Sequence, residues 1–259
     1  MSKMLAITNQ KGGVGKTTTC VNLGACLAEL GQNVLIVDID PQGNATSGLG
    51  IDRRRLRNCI YNVLIEGLSV DAVIQATSIQ RLEVVPATIQ LAGAEIELVS
   101  ALSREMKLKE ALAGVRAFYD FILIDCPPSL GLLTVNALTA ADGVLVPIQC
   151  EYYALEGLGQ LLNTVQLVQR HLNPQLELFG AVLTMYDART NLSNQVVEEV
   201  RAYFKDKVFK TVIPRNVRLS EAPSHGQSII EYDPKSRGAE VYQAFAKEVI
   251  ARVKVKGIR

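Results

Sequence analysis

Asn9-Gln10-Lys11-Gly12-Gly13-Val14-Gly15-Lys16-Thr17-Thr18 stands between a short apolar run, Met4–Thr8, and a helix-period segment, Lys16–Leu30. Three glycines let the backbone wrap so that its N–H groups point inward. The following helix adds its orphan N–H groups and the positive end of its dipole. The product is a cradle for polyphosphate. Lys16 is placed to reach the β- and γ-phosphates, Thr17 to ligate Mg²⁺ through its hydroxyl, and Thr18 to donate to the α-phosphate. The general pattern G-x-x-x-x-G-K-[ST] asks for glycine five residues before Gly15, where this chain has Gln10. K-G-G-x-G-K-T stands instead, and six specified positions arise by chance at about 10⁻⁷ per start site.

Outward from that loop, apolar runs alternate with longer periodic segments. Strands are predicted at Met4–Thr8, Val34–Asp38, Leu82–Pro86, Phe121–Asp125, Gly143–Gln149, Phe179–Thr184 and Val208–Ile213. Helices are predicted at Lys16–Leu30, Ile60–Glu66, Val70–Gln75, Ala92–Ser100, Met106–Val115, Leu132–Ala140, Leu155–His171, Ser193–Lys205 and Gly238–Val255. Phe121-Ile122-Leu123-Ile124 is apolar throughout, as in a parallel sheet covered on both faces. Repeated strand–helix–strand units imply a doubly wound, mostly parallel α/β fold, expected as one domain over 1–259. Ligands of such folds bind at the C-terminal ends of strands.

Composition agrees. Of the 259 residues, 48% are apolar and 20% charged, which excludes a disordered chain. Tryptophan is absent and aromatics are 5%, so a stacking platform for bases or sugars is not expected. Net charge is +1, but residues 1–170 carry −3 and residues 171–259 carry +4, a hint of a polyanion partner beside the plainer reading of a mixed solvated surface. The five cysteines form no C-x-x-C pair and read as buried thiols in a reducing compartment. No signal peptide and no apolar run near 18 residues is present, so a soluble, cytoplasmic protein is expected.

Two carboxylates, Asp38 and Asp40, end the second strand, and Asp125 ends the fourth. Carboxylates there face the ligand crevice, where one can orient an attacking water and another can hold Mg²⁺ through water. An aspartate in that place also serves as a helix or turn cap. Pro214-Arg215-Asn216 reads as a turn after the last strand. Arg189, Arg215 and Arg218 suit phosphate oxygens through their fork of donors. Lys205, Lys207, Lys210, Lys235 and Arg237 either extend them into a stripe or form a solvated face. Tyr152-Tyr153 and Met185-Tyr186 read as core or interface packing.

K-G-G-V-G-K-T-T resembles the deviant phosphate loop of the ParA/MinD class of ATPases. Asp38-Ile39-Asp40-Pro41-Gln42-Gly43-Asn44 and Asp125-Cys126-Pro127-Pro128-Ser129 resemble two further motifs of that class. Gln149–Gly157, Thr184–Asn191 and Val212–Pro223 are similar to the chromosomal ParA/Soj branch, and the resemblance runs from Lys3 to Val255. It implies an ATPase using ATP and Mg²⁺, with Lys11, Lys16 and Asp40 in hydrolysis, Lys11 reaching a partner's nucleotide across an ATP-dependent homodimer. It implies that residues 11–18 hold the phosphates, that Pro214 and Asn216 read adenine, and that Thr17, Asp38 and Asp125 serve the metal. It also implies salt-sensitive, sequence-independent binding of double-stranded DNA through Arg189, Arg218 and Arg215, nucleoid association, and hydrolysis stimulated by a ParB-type centromere-binding protein.

Larger plasmid partition ATPases carry a helix-turn-helix domain before this loop. With ten residues ahead of Lys11, that domain is expected to be absent. A MinD-like membrane role would need the basic, amphipathic end Ala244–Lys256 to insert in lipid. Phe245, Val249, Ile250 and Val253 read instead as docking onto the sheet, so stable membrane association is not expected. An iron–sulfur relative would need a cysteine pair that Cys126 and Cys150 do not supply, and an amide ligase would need a substrate pocket beyond the nucleotide.

Overall fold

The computed structural model describes residues 2–152, 154 and 158–256, with the side chains of residues 255 and 256 outside that description. Eight strands form one sheet: β1 (Lys3–Ile7), β2 (Val34–Asp38), β3 (Gln75–Ala76), β4 (Leu82–Val85), β5 (Phe121–Asp125), β6 (Gly143–Gln149), β7 (Glu177–Tyr186) and β8 (Val208–Pro214). Their order is β3-β4-β2-β5-β1-β6-β7-β8. Among the described residues only the pairing of β3 with β4 is antiparallel.

The chain leaves β1 toward β2 on one side and later returns past β1 to β6 on the other. The strand order therefore reverses next to β1, the position at which open α/β sheets bind ligands. Helices cover both faces. On one side are α1 (Lys16–Glu29), α10 (Ile229–Tyr232) and α11 (Arg237–Lys256), packed on Leu5, Ile7, Ile36 and Leu123. On the other are α3 (Ile60–Glu66), α4 (Leu91–Glu97), α5 (Lys107–Ala113), α6 (Leu132–Ala140), α7 (Leu158–His171) and α8 (Asn191–Phe204), packed on Met4, Ala6, Val37 and Ile124. Successive residues of a strand point to opposite faces, so each central strand feeds both cores at once.

Three short helices were not legible from periodicity: α2 (Asn44–Gly48), α9 (Val217–Glu221) and α10. Each has five residues or fewer, too short for an apolar repeat to show. Val70–Gln75, predicted as a helix, is a 3₁₀ turn at Val70–Ala72 followed by edge strand β3. Its few apolar residues cap the sheet edge instead of forming a helical stripe. The predicted start of α7 falls on residues 155–157, outside the described residues, as does Tyr153. Tyr152 is 75% exposed and takes no part in the core.

Helix α11 docks as its apolar spacing predicts. Phe245 and Val249 are fully buried, and Ile250 and Val253 pack at the margin of the same core. Phe209 meets Phe245 edge-on at 4.9 Å, and the Arg252 guanidinium lies 3.7 Å over the Phe209 ring while donating to the Phe179 carbonyl. Among the described residues no helix is long and apolar enough to cross a membrane. Replacing Phe245 by Ala is expected to cost about 3–5 kcal/mol by urea unfolding, because it opens a cavity between α11 and β8.

Candidate active site

The loop after β1 builds its turn from two left-handed residues, Gly13 (φ 74°) and Gly15 (φ 87°). A side chain at either position would be strained, so these two glycines are required by the backbone. Gly12 has no such requirement. Open space lies where its Cβ would be, on a loop whose N–H groups must approach a ligand closely.

Neighbouring strands pin the loop at both ends. Asn9, nearly fully buried, donates its amide to the Pro147 carbonyl at the core of β6 (2.8 Å), and its Oδ1 accepts the Lys11 N–H (3.1 Å). Thr184 on β7 donates from its hydroxyl to the Val14 carbonyl (2.9 Å). Lys16 Nζ donates to the Lys11 carbonyl (2.9 Å). Lys11 itself lies half-buried at the mouth and forms no salt bridge among the described residues.

The carboxylates converge from the other side. β2 and β5 are adjacent, with Asp38 directly opposite Asp125 in the register. Both are fully buried, and Asp40 is nearly so. Thr17 donates its hydroxyl to Asp125 Oδ2 (2.8 Å), while Asp125 Oδ1 is buried with no hydrogen-bond partner. Asp40 Oδ1 accepts the Gln42 N–H (2.9 Å), which shapes the loop after β2. Asp38 is also used as a cap, the second of the two roles open to it. Its Oδ2 accepts from the Thr46 backbone and hydroxyl (2.8 and 2.7 Å), and its Oδ1 from the Asp40 N–H (3.1 Å).

Burial lifts the Asp38 carboxyl to about 6, against the pull of its Thr46 bonds. Burial, and then the charge of Asp38, pushes Asp125 well above the ordinary carboxylate range. Burial lowers Lys16, opposed chiefly by Asp125. Asp125 and Asp40 thus face the one ammonium, and Asp38 adds its charge beside Asp125. Among the described residues no three acidic, His or Cys side chains form a closed metal cage. The donor set still fits Mg²⁺, which keeps several waters and takes one or two carboxylates beside phosphate oxygens. The orphaned Asp125 Oδ1, next to the Thr17 hydroxyl, is where a bound cation's water shell would satisfy a buried acceptor.

A cavity of about 390 Å³ opens beside Thr17 and Thr18, between α1, α2 and the turn at Pro223 and Ser224. Pro214 and Asn216 are not among its lining residues. Pro214 is the last residue of β8, and Asn216 caps α9 by accepting the Arg218 N–H at its Oδ1 (2.8 Å). That leaves the Asn216 NH₂ group as a donor at the strand end.

Arg189, Arg215 and Arg218 all follow the C-terminal ends of β7 and β8, the end of the sheet that carries the phosphate loop. Arg189 forks onto Asp187 (2.6 and 2.9 Å), holding that carboxyl well below its usual range. Arg215 pairs with Glu151 (3.3 Å), and Arg218 with Glu221 (2.9 Å) and Asp233 (3.6 Å). These pairs are exposed and screened by water, so they hold the arginines only weakly. The lysines around the start of β8 lie apart from those arginines. Lys205 and Lys207 precede β8 and Lys210 lies near its start, so the length of that strand separates them from Arg215. Arg53, on the loop after α2, donates to the Gln42 carbonyl.

Sequence reasoning missed Asn9, Thr46 and Thr184. Their signal is weak because each is one polar residue whose partner lies on another strand or loop.

Fold and site together define a phosphate-loop ATPase, and the comparisons narrow the class. The AAA domain family matches residues 2–178. The sporulation initiation inhibitor protein Soj of Bacillus subtilis is 68% identical over 251 residues, covering 97% of this chain and 99% of that protein. The chromosome partitioning protein ParA of Myxococcus xanthus is 55% identical, covering 97% and 89%. Among solved structures, a Mycobacterium smegmatis protein described as cobyrinic acid a,c-diamide synthase, with bound ADP and magnesium, superposes with a TM-score of 0.87 at 42% identity, covering 98% and 96%. This chain belongs to the ParA/Soj family of chromosome-partitioning ATPases.

Asp38 and Asp125 bind protons more tightly in the folded than in the unfolded chain. Their contribution to the stability of nucleotide- and metal-free protein therefore falls as pH rises above the ordinary value of 3.8, through about 6 for Asp38 and further up for Asp125. Asp125→Asn is expected to raise urea-unfolding stability at pH 7 by about 1–3 kcal/mol, with the gain shrinking toward pH 4.

Proposed function

We propose that the whole chain acts as an ATP-driven switch of DNA attachment. Lys16 and the N–H groups of Gly12, Gly13, Val14 and Gly15 hold the phosphates, with Thr18 donating to the α-phosphate. Thr17 and Asp125, supported by Asp38, hold Mg²⁺, which supplies charge neutralisation on the β- and γ-phosphate oxygens. Asp40 orients the attacking water. Pro214 and the Asn216 amide read adenine. Lys11 lies at the mouth with no carboxylate partner among the described residues, as a cation destined for a second copy's triphosphate would. ATP then joins two copies face to face.

The observation that carries this reading is the shared end of the sheet. Phosphate loop, acids and the Arg189, Arg215 and Arg218 cluster all lie at C-terminal strand ends, so closing a dimer over ATP also composes the basic surface. That dimer binds double-stranded DNA without sequence preference and places the protein on the nucleoid within the cytoplasm. A ParB-type partner stimulates hydrolysis, the dimer opens, and DNA is released. Docking of α11 through Phe245 and Val249 supports this over a lipid-inserting role, because its apolar face is already covered.

DNA retention tests the proposal. Binding with ATP is expected, with little for ADP or no nucleotide. Retention should fall steeply with added salt, persist in Asp40→Ala, and drop at least about tenfold in Arg189→Ala. An absence of DNA binding in every state, with ATP hydrolysis intact, overturns it.

A further inference from the structure

Thr46 is fully buried on α2, beyond the acids that end β2. Its hydroxyl sits between two elements. Oγ1 donates to Asp38 Oδ2 at 2.7 Å and accepts the Ala87 N–H, just past β4, at 2.9 Å. The direction of both bonds is forced: a backbone N–H only donates, so the hydroxyl proton goes to the carboxylate. The Thr46 backbone N–H donates to the same oxygen, and the Asp40 N–H takes Oδ1. Three donors from two sides fix the plane of the Asp38 carboxylate beside Asp125.

Without the Thr46 hydroxyl, Asp38 would keep only backbone donors from its own loop. The Ala87 N–H would lose its acceptor in a buried setting. The loop between Asp40 and Thr46 would also lose its hydrogen bond to the exit of β4.

We propose that Thr46 is a positioning residue: its hydroxyl orients Asp38 and so sets how strongly Mg²⁺ tightens nucleotide binding. The inference rests on the metal-side reading of Asp38 given above. Outer-shell partners of this kind change metal affinity by about 10–100-fold when removed.

The test measures the affinity of mant-ADP with and without millimolar Mg²⁺ for wild type, Thr46→Ser, Thr46→Val and Asp38→Asn. Thr46→Ser keeps the wild-type gain in affinity on adding Mg²⁺. Thr46→Val loses about tenfold of that gain while its Mg²⁺-free affinity stays within about twofold. A full gain in Thr46→Val overturns the inference, as does an equal loss in Thr46→Ser. A parallel fall in Mg²⁺-free affinity also overturns it, because that marks a merely structural role. If Thr46→Val does not fold, Thr46→Cys, with its weak S–H donor, is expected to show an intermediate loss, and a wild-type gain there overturns the proposal. Asp38→Asn separates the two layers. Loss of the gain in Asp38→Asn but not in Thr46→Val defeats the role of Thr46 alone. A full gain in Asp38→Asn defeats the reading of Asp38, and the role of Thr46 with it.

Discussion

Asp38, Asp40 and Asp125 are buried together at one end of the sheet with a single ammonium, Lys16, facing Asp125 and Asp40, and most of the site is arranged around that imbalance. Carboxylates out of water are costly unless they are paired or hydrogen-bonded. Asp38 is held by three donors and Asp40 by a turn N–H, but Asp125 keeps one buried oxygen with no partner. That oxygen marks the place where the buried acids are least compensated by the protein's own donors.

The backbone around those acids is held by long-range bonds. Asn9 ties the loop start to β6, Thr184 ties Val14 to β7, and Thr46 ties the second acidic loop to the exit of β4. Each bond joins a catalytic segment to a neighbouring strand end. These bonds run along the rim of the sheet, toward β6 and β7 on one side and β4 on the other. Arg189, Arg215 and Arg218 sit on that rim, each paired with a carboxylate.

How much of this was legible in the sequence depends on the range of the interaction. The long helices and the buried strands were readable, because apolar spacing and uninterrupted apolar runs report burial directly. The loop at Lys11–Thr18 and the acids at Asp38, Asp40 and Asp125 were readable because their chemistry is written in consecutive residues. Helices α2, α9 and α10 were not, since a helix of four or five residues is fixed by its caps and neighbours. Val70–Gln75 shows the opposite error: its composition suited a helix, and the sheet edge took it as a turn and a strand. Lys205, Lys207 and Lys210 lie at the opposite end of β8 from Arg215, a separation that closeness in sequence conceals.

The sequence by itself determined the fold class, the phosphate cradle and the family, because local backbone chemistry and strand burial leave their marks on neighbouring residues. Only the tertiary structure decided that Asp38 both caps a helix and faces Asp125, that Gly12 needs no special conformation, and that a lone threonine joins two loops. Those facts depend on which strand lies beside which. Strand order places Asp38 and Asp125 side by side although 86 residues of chain separate them. Sequence spacing carries no record of that pairing, because the sheet is closed by contacts between distant segments.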